Sequence, residues 1–201
     1  MSSGVKFIST NNILFSMSGK LGILDRKKTC LVVVDVQERF RNVIFEFDRM
    51  VENVRKLVES FRILGVPIIV TEQNPEKLGR TVPEVSKVLG DFKPIEKLHF
   101  SCFGNKDFVG EVKRLRIEDL VLCGLEAHIC VLKTALDGLK RGYNVHVVYD
   151  AVSSRKQMDW GISMCRMGHK GIFLTTAESV IFQLIEKAGT DEFRKISSIV
   201  K

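Results

Sequence analysis

The sequence predicts an α/β fold of three layers, α/β/α, built on an open, mostly parallel, doubly wound (Rossmann-like) sheet. Three observations predict it. Short apolar, β-branched runs recur along the chain, as in strands buried on both faces of a parallel sheet. Between them, apolar residues fall at three- and four-residue spacing, the mark of amphipathic helices. The two patterns alternate through 201 residues that are 45% hydrophobic, enough for one compact core.

The first strand covers residues 30–34, with Asp35 at its carboxyl end. Met50, Val54, Leu57, Val58, Phe61 and Leu64 mark one helix face, which Gly65 and Pro67 terminate. Residues 68–70 form the next strand. Residues 72 to about 93 are polar, with Gly79, Pro83 and Gly90, and read as a long connection of the functional kind. Residues 95–103 read as extended. Phe108, Val109, Val112 and Leu115 suggest a helix, and residues 120–123 a strand that ends at Gly124.

Ile129, Leu132, Ala135, Leu136 and Leu139 mark a helix closed by Gly142. Residues 145–149 predict a strand ending at Asp150. A helix follows over about 157–167, and 172–174 is the last strand. Thr175-x-x-Glu178 reads as a capping box for a helix carrying Val180, Ile181, Leu184 and Ile185, ending at Gly189. No repeat, low-complexity tract or linker divides the chain. Residues 1–22 read as an N-terminal extension and 23–201 as one domain. In such a fold, ligands bind outside the carboxyl ends of the strands, where the winding reverses.

Composition narrows the function classes. No apolar run reaches the roughly 18 residues that span a bilayer, so no membrane role is expected. The net charge is +7, but the basic residues are spread out, with one short run at Arg26-Lys27-Lys28 and no RNA-binding aromatic motif. A nucleic-acid partner is therefore not the leading expectation. The five cysteines are odd in number and lack C-x-x-C or zinc spacing, which fits a reducing compartment. Residues 1–24 hold Lys6, Lys20, five serines and no acidic residue or arginine, only loosely like a transit peptide. Cytoplasmic location is the first expectation and mitochondrial the second. Phe7, Ile8, Ile13, Leu14 and Phe15 in this arm suggest packing on a neighbouring subunit.

The chemistry-bearing candidates follow. Cys130 lies just after a strand where a helix begins, so the helix macrodipole is expected to favour its thiolate. A lone cysteine is more commonly a packing residue. Asp35 stands where the sheet edge opens to ligand, although turn-capping aspartates are common and Asp150 has an equivalent position. Lys97 alone reads as a surface lysine. Beside a thiolate and a carboxylate it would stabilise both charges. His99, His128, His146 and His169 show no metal-ligand spacing, so no metal or other cofactor is expected. His128 is close enough in sequence to pair with Cys130.

Three segments together resemble the isochorismatase-like cysteine hydrolases: Leu-Val-Val-Val-Asp35-Val-Gln37, Lys97-Leu-His-Phe-Ser-Cys-Phe and Gly124-Leu-Glu-Ala-His-Ile-Cys130-Val. The resemblance covers about residues 24–187. It is greatest to the animal-type isochorismatase domain-containing subgroup, through Val70-Thr-Glu-Gln-Asn-Pro75, Leu78-Gly79, Thr81-Val-Pro83 and Asp150-Ala-Val-Ser-Ser-Arg155. It implies that Cys130 attacks an amide-like carbonyl of a small molecule to give a thioester, that Asp35 moves the protons and that Lys97 stabilises the charges. It also implies a cis peptide at Leu125–Glu126, an oxyanion hole from the amides of Glu126 and Cys130, and a closed homo-oligomer. Phe40, Glu72, Gln73, Phe100, His128 and Arg155 are the substrate-pocket candidates.

Nicotinamidases of this superfamily carry a histidine-containing metal site, and between Asp35 and Lys97 this chain has no histidine. Isochorismatase itself lacks the cysteine, so Cys130 points away from vinyl-ether cleavage. Two further readings stand beside the metal-independent hydrolase. One is a non-catalytic oligomeric interaction protein on the same scaffold. The other is a basic RNA-binding or ribonuclease-type protein, whose binding would fall steeply with salt.

Overall fold

The computed structural model describes residues 21–201. The apolar arm from Phe7 to Phe15 lies outside the described residues. The strands are β1 (Thr29–Val34), β2 (Ile68–Gln73), β3 (Ile95–Lys97), β4 (Asp119–Gly124), β5 (Asn144–Val152) and β6 (Phe173–Thr175). The helices are α1 (Phe47–Leu64), α2 (Pro75–Leu78), α3 (Pro83–Leu89), α4 (Lys106–Leu115), α5 (Leu132–Lys140), α6 (Gln157–His169), α7 (Ala177–Gln183) and α8 (Asp191–Val200). Among them, no helix is long and apolar enough to cross a membrane.

The sheet runs β3-β2-β1-β4-β5-β6, and every pairing is parallel. The central strand shows why. All six residues of β1 are buried. Leu31 and Val33 point into the core beneath α1, α3, α7 and α8. Cys30, Val32 and Val34 point into the core beneath α4, α5 and α6. A strand apolar on both faces must be covered on both faces, which gives three layers. Burying each such side chain contributes roughly 1.5–3 kcal/mol.

α1 matches its predicted face, burying Met50, Val54, Leu57, Val58, Phe61 and Leu64. It closes at Gly65 (φ 65°), where the Val66 amide reaches back 2.9 Å to the Phe61 carbonyl. The chain winds outward from β1 through β2 to β3, then returns to pair β4 on the other side of β1. The winding therefore reverses between β1 and β4, and in folds of this kind ligands bind there, outside the carboxyl ends.

Several expectations are corrected. The polar stretch after Glu72 is not a plain loop. It finishes β2 and forms α2 and α3, each begun by a proline whose missing N–H costs nothing at that position. Residues 95–103 are extended only through Lys97, after which the chain turns and forms a 3-10 turn at Cys102–Gly104. β5 runs on to Val152, so Asp150 lies within a strand, where its carboxylate accepts the Ala177 amide at 2.8 Å. Thr176, not Thr175, caps α7, which ends at Gln183 rather than Gly189. α8 was not expected, because its polar sequence fully buries only Ile196, with Val200 packed partly against the core.

Gly124 joins β4 to the segment that follows. Its φ is 106°, and a Cβ there would sit 2.1 Å from the Val34 carbonyl oxygen. That same oxygen accepts the Leu125 amide at 2.7 Å. Gly124→Ala should therefore cost at least about 2 kcal/mol, from left-handed strain and backbone overlap together. Urea unfolding checks this, and an unchanged midpoint would show that the two strand ends do not need this close approach.

Candidate active site

Three strand ends bring three side chains to the carboxyl edge of the sheet. Asp35 follows β1 in a left-handed conformation (φ 52°), unusual for a residue with a side chain. Its amide donates to the Thr71 carbonyl at 3.1 Å, and it is 1% exposed. Lys97 ends β3, and its side chain is fully buried. Its ammonium lies 2.6 Å from Asp35 Oδ2 and 2.8 Å from Gln73 Oε1. The carbonyls of His99 and Phe100 also accept from it, at 3.3 and 3.4 Å. The turn that breaks the expected extended segment thus supplies acceptors for the buried cation.

Cys130 follows β4 in one wide π turn, Ala127–Val131, that precedes α5. The Val131 amide reaches back five residues to the Glu126 carbonyl at 3.2 Å, which also accepts the Ile129 amide at 3.0 Å. The Leu125–Glu126 peptide is cis. The Cys130 thiol is buried, and the Asp35 carboxylate acts on it electrostatically.

The electrostatics of the three groups are joined. Burial pushes the Asp35 carboxyl above its usual range, while Lys97 and then Thr71 pull the other way. Burial works against the Lys97 ammonium, but Asp35, together with the sulfurs of Cys102 and Cys130, more than offsets it and the lysine stays charged. Burial, then the Asp35 charge, pushes the Cys130 thiol up, with Lys97 opposing. The helix-terminus expectation of a lowered thiol pKa is corrected. Desolvation and a neighbouring carboxylate outweigh the partial charge of a helix end.

The pocket candidates divide. Gln73 touches the centre through Lys97. Glu72 is buried, with one oxygen taken by the Thr81 amide and hydroxyl at 2.7 and 2.8 Å and the other by Arg80 at 3.0 Å, so it braces the loop after β2. Phe40 packs partly against the core beneath α1. Phe100 is half-exposed, with Lys133 lying over its ring. Glu126 accepts the Arg155 amide and Nε at 3.1 and 3.0 Å. His128 Nδ1 pairs with Ser154 Oγ at 2.9 Å. Glu126 and His128 thereby clamp the Cys130 turn to the segment after β5, and the Ala127 amide adds a bond to the Ser153 carbonyl at 2.8 Å.

Sequence reasoning missed Thr71, whose hydroxyl donates to Asp35 Oδ1 at 2.8 Å. It also missed the role of Gln37, which is fully buried and bonds the Gln73 backbone in both directions. A threonine inside the apolar run of β2 was the one available signal. Among the described residues, no three His, Cys, Asp or Glu side chains converge as a metal site would require.

The isochorismatase domain family matches residues 29–179. The chain is 40% identical over 183 residues to isochorismatase domain-containing protein 2A of Mus musculus, across 90% of this chain and 86% of that one. The structure of MAR1 ribonuclease from Caenorhabditis elegans matches with a TM-score of 0.83 at 37% identity, across 88% and 91% of the two chains. YcaC from Pseudomonas aeruginosa, solved with hexane-2,5-diol and covalent acrylamide, matches with a TM-score of 0.84 at 25% identity, across 90% and 93%.

A neutral Cys130 thiol at pH 7 has a measurable consequence. Its alkylation by iodoacetamide should show a midpoint above the free-thiol value of about 8.5. Lys97→Ala should move that midpoint higher, since the ammonium is what pulls it down. Mass analysis of the Cys130 peptide separates this reaction from that of exposed Cys165. A wild-type midpoint below about 8.5 would overturn the buried-thiol description.

Proposed function

The chain belongs to the isochorismatase family, and from that premise we propose that it hydrolyses small amide-like carbonyl compounds through a thioester on Cys130. The observation that carries this reading is one buried carboxylate, Asp35, paired with the Lys97 ammonium and electrostatically coupled to the Cys130 thiol.

In the proposed reaction, Asp35 takes the thiol proton as sulfur attacks the carbonyl carbon. The negative oxygen of the intermediate is met by the amides of Glu126 and Cys130. The carbon–nitrogen bond breaks as Asp35 returns the proton to the leaving amine. Asp35 then takes a proton from water, which cleaves the thioester, and the acid departs as the thiol re-forms. Lys97 keeps its charge throughout and holds the carboxylate in place. Resting as a thiol suits this cycle, because the proton leaves only when sulfur bonds to carbon. The covalent acrylamide on the P. aeruginosa relative fits a site of this kind, since acrylamide is an electrophile that thiols attack.

The ribonuclease name of the C. elegans relative keeps an RNA substrate among the outcomes to be tested. Two observations favour a small ligand. Asp35 and Lys97 are buried, out of reach of a polynucleotide backbone. Many arginines are already paired with acidic neighbours, including Arg26 with Glu192, Arg41 with Glu84 and Arg55 with Glu59. Self-association belongs to the same reading, and exposed Met158 and Ile162, one turn apart on α6, are the surface that motivates it. A solution mass equal to a single chain would remove that part.

The test is hydrolysis of a panel of primary amides and short esters, with RNA in parallel. Asp35→Asn and Cys130→Ala should each lower kcat at least about 10²-fold. Wild type, but not Cys130→Ala, should accumulate an acyl adduct visible by mass. Because Asp35 is raised, its basic form is lost as pH falls through a value above the ordinary carboxylate pKa of about 3.9, and kcat/KM should fall with it. Turnover that survives Cys130→Ala, or cleavage of RNA with no amide turned over, would sink the proposal.

A further inference from the structure

Thr71 stands in the middle of β2, fully buried, and touches Asp35 twice. Its backbone carbonyl accepts the Asp35 amide at 3.1 Å. Its side-chain hydroxyl donates to Asp35 Oδ1 at 2.8 Å. The second Asp35 oxygen, Oδ2, is the one that Lys97 holds. The two oxygens therefore have separate keepers, one a neutral donor and one a cation.

A buried strand threonine ordinarily spends its hydroxyl on a nearby backbone carbonyl. Here its partner is a carboxylate. On the other side, the Cys102 thiol lies 3.9 Å from Thr71 Oγ1 and is placed to donate to it. Cys102 is itself fixed by its amide, which donates to the Thr134 hydroxyl at 3.0 Å. The order is thus Cys102 thiol, Thr71 hydroxyl, Asp35 carboxylate, with each proton pointing toward the negative charge. Chains of this kind reinforce one another in a low-dielectric interior.

We infer that Thr71 is the positioning residue of the base: its hydroxyl holds one Asp35 oxygen so that the carboxylate stays ionised and aimed at the Cys130 thiol. The inference rests on the proposed role of Asp35. The doubled contact explains how Asp35 keeps its left-handed backbone and its carboxylate direction together. A donor to the charged form lowers a carboxyl pKa. Thr71 therefore offsets part of what burial does to Asp35, and the Cys102 thiol strengthens it.

The test reads the Asp35 carboxyl directly and needs no substrate. The carboxyl carbon of Asp35 is followed by 13C NMR against pH, its signal assigned by loss in Asp35→Asn. Thr71→Val, which keeps the shape and removes the hydroxyl, should raise the midpoint by about one pH unit, a tenfold gain in proton affinity. Thr71→Ser should return it to near the wild-type value. Cys102→Ala should raise it by a smaller amount. Should Thr71→Val fail to fold, Thr71→Ala removes the same hydroxyl and is held to the same shift.

An unmoved midpoint in the hydroxyl-less variant overturns the inference. So does an equal shift in Thr71→Val and Thr71→Ser, which would make packing the cause. A midpoint that moves as expected in a protein that turns over no amide sinks the proposed reaction, yet leaves the hold of Thr71 on the carboxylate standing.

Discussion

The buried ion pair between Lys97 and Asp35 is the contact on which the rest of this site depends. At 2.6 Å and without solvent, neither partner can be removed without leaving a lone charge in the interior, a loss of roughly 3–5 kcal/mol. The fold meets the cost of burying the ammonium by surrounding it with acceptors. Gln73 contributes a side-chain oxygen, and the turn after β3 contributes two carbonyls. That turn exists because β3 stops at Lys97. A longer strand would direct those carbonyls into the sheet ladder and away from the cation.

Topology explains why the partners come from distant parts of the chain. Asp35 and Cys130 follow strands and Lys97 ends one, and all strands run the same way, so their carboxyl ends share one edge. The winding reverses between β1 and β4, so the segments that leave them head to opposite halves of the sheet. Gly124 lets β4 approach the end of β1 closely enough for Leu125 to bond Val34, which sets the start of the Cys130 turn. The far side of that turn is held by Ser153, Ser154 and Arg155. The nucleophile candidate is thus fixed from two strands, β1 and β5, that flank its own.

The thiol shows how position along a helix can mislead. A cysteine near a helix start is expected to be acidic, but in this site burial and a carboxylate raise its pKa. Reactivity then depends on transfer of the proton to a held base, and the state of Asp35 matters more than that of the thiol. This places weight on the groups that orient Asp35, above all Lys97 and Thr71.

Much of this was legible in the sequence. The apolar runs marked five of the six strands along the chain, the helical spacing of Met50 through Leu64 marked α1, and the strand ends pointed to Asp35 and Cys130, because a buried parallel strand and an amphipathic helix impose their periods locally; the order of the strands in the sheet came only with the fold. Lys97 alone looked like a solvated surface residue and gained its place only with the two other motifs. What the sequence could not contain was partnership. Glu72 and Gln73 are adjacent in β2, yet side chains alternate across a strand, so Gln73 reaches Lys97 while Glu72 is consumed by Thr81. Thr71 showed only as a threonine beside an apolar run and Cys102 only as a lone cysteine, because their meaning lies in contacts across 36 and 31 residues of chain. Local patterns record the burial of apolar side chains; which polar groups are buried with them, and which meets which, is decided only when the strands lie side by side.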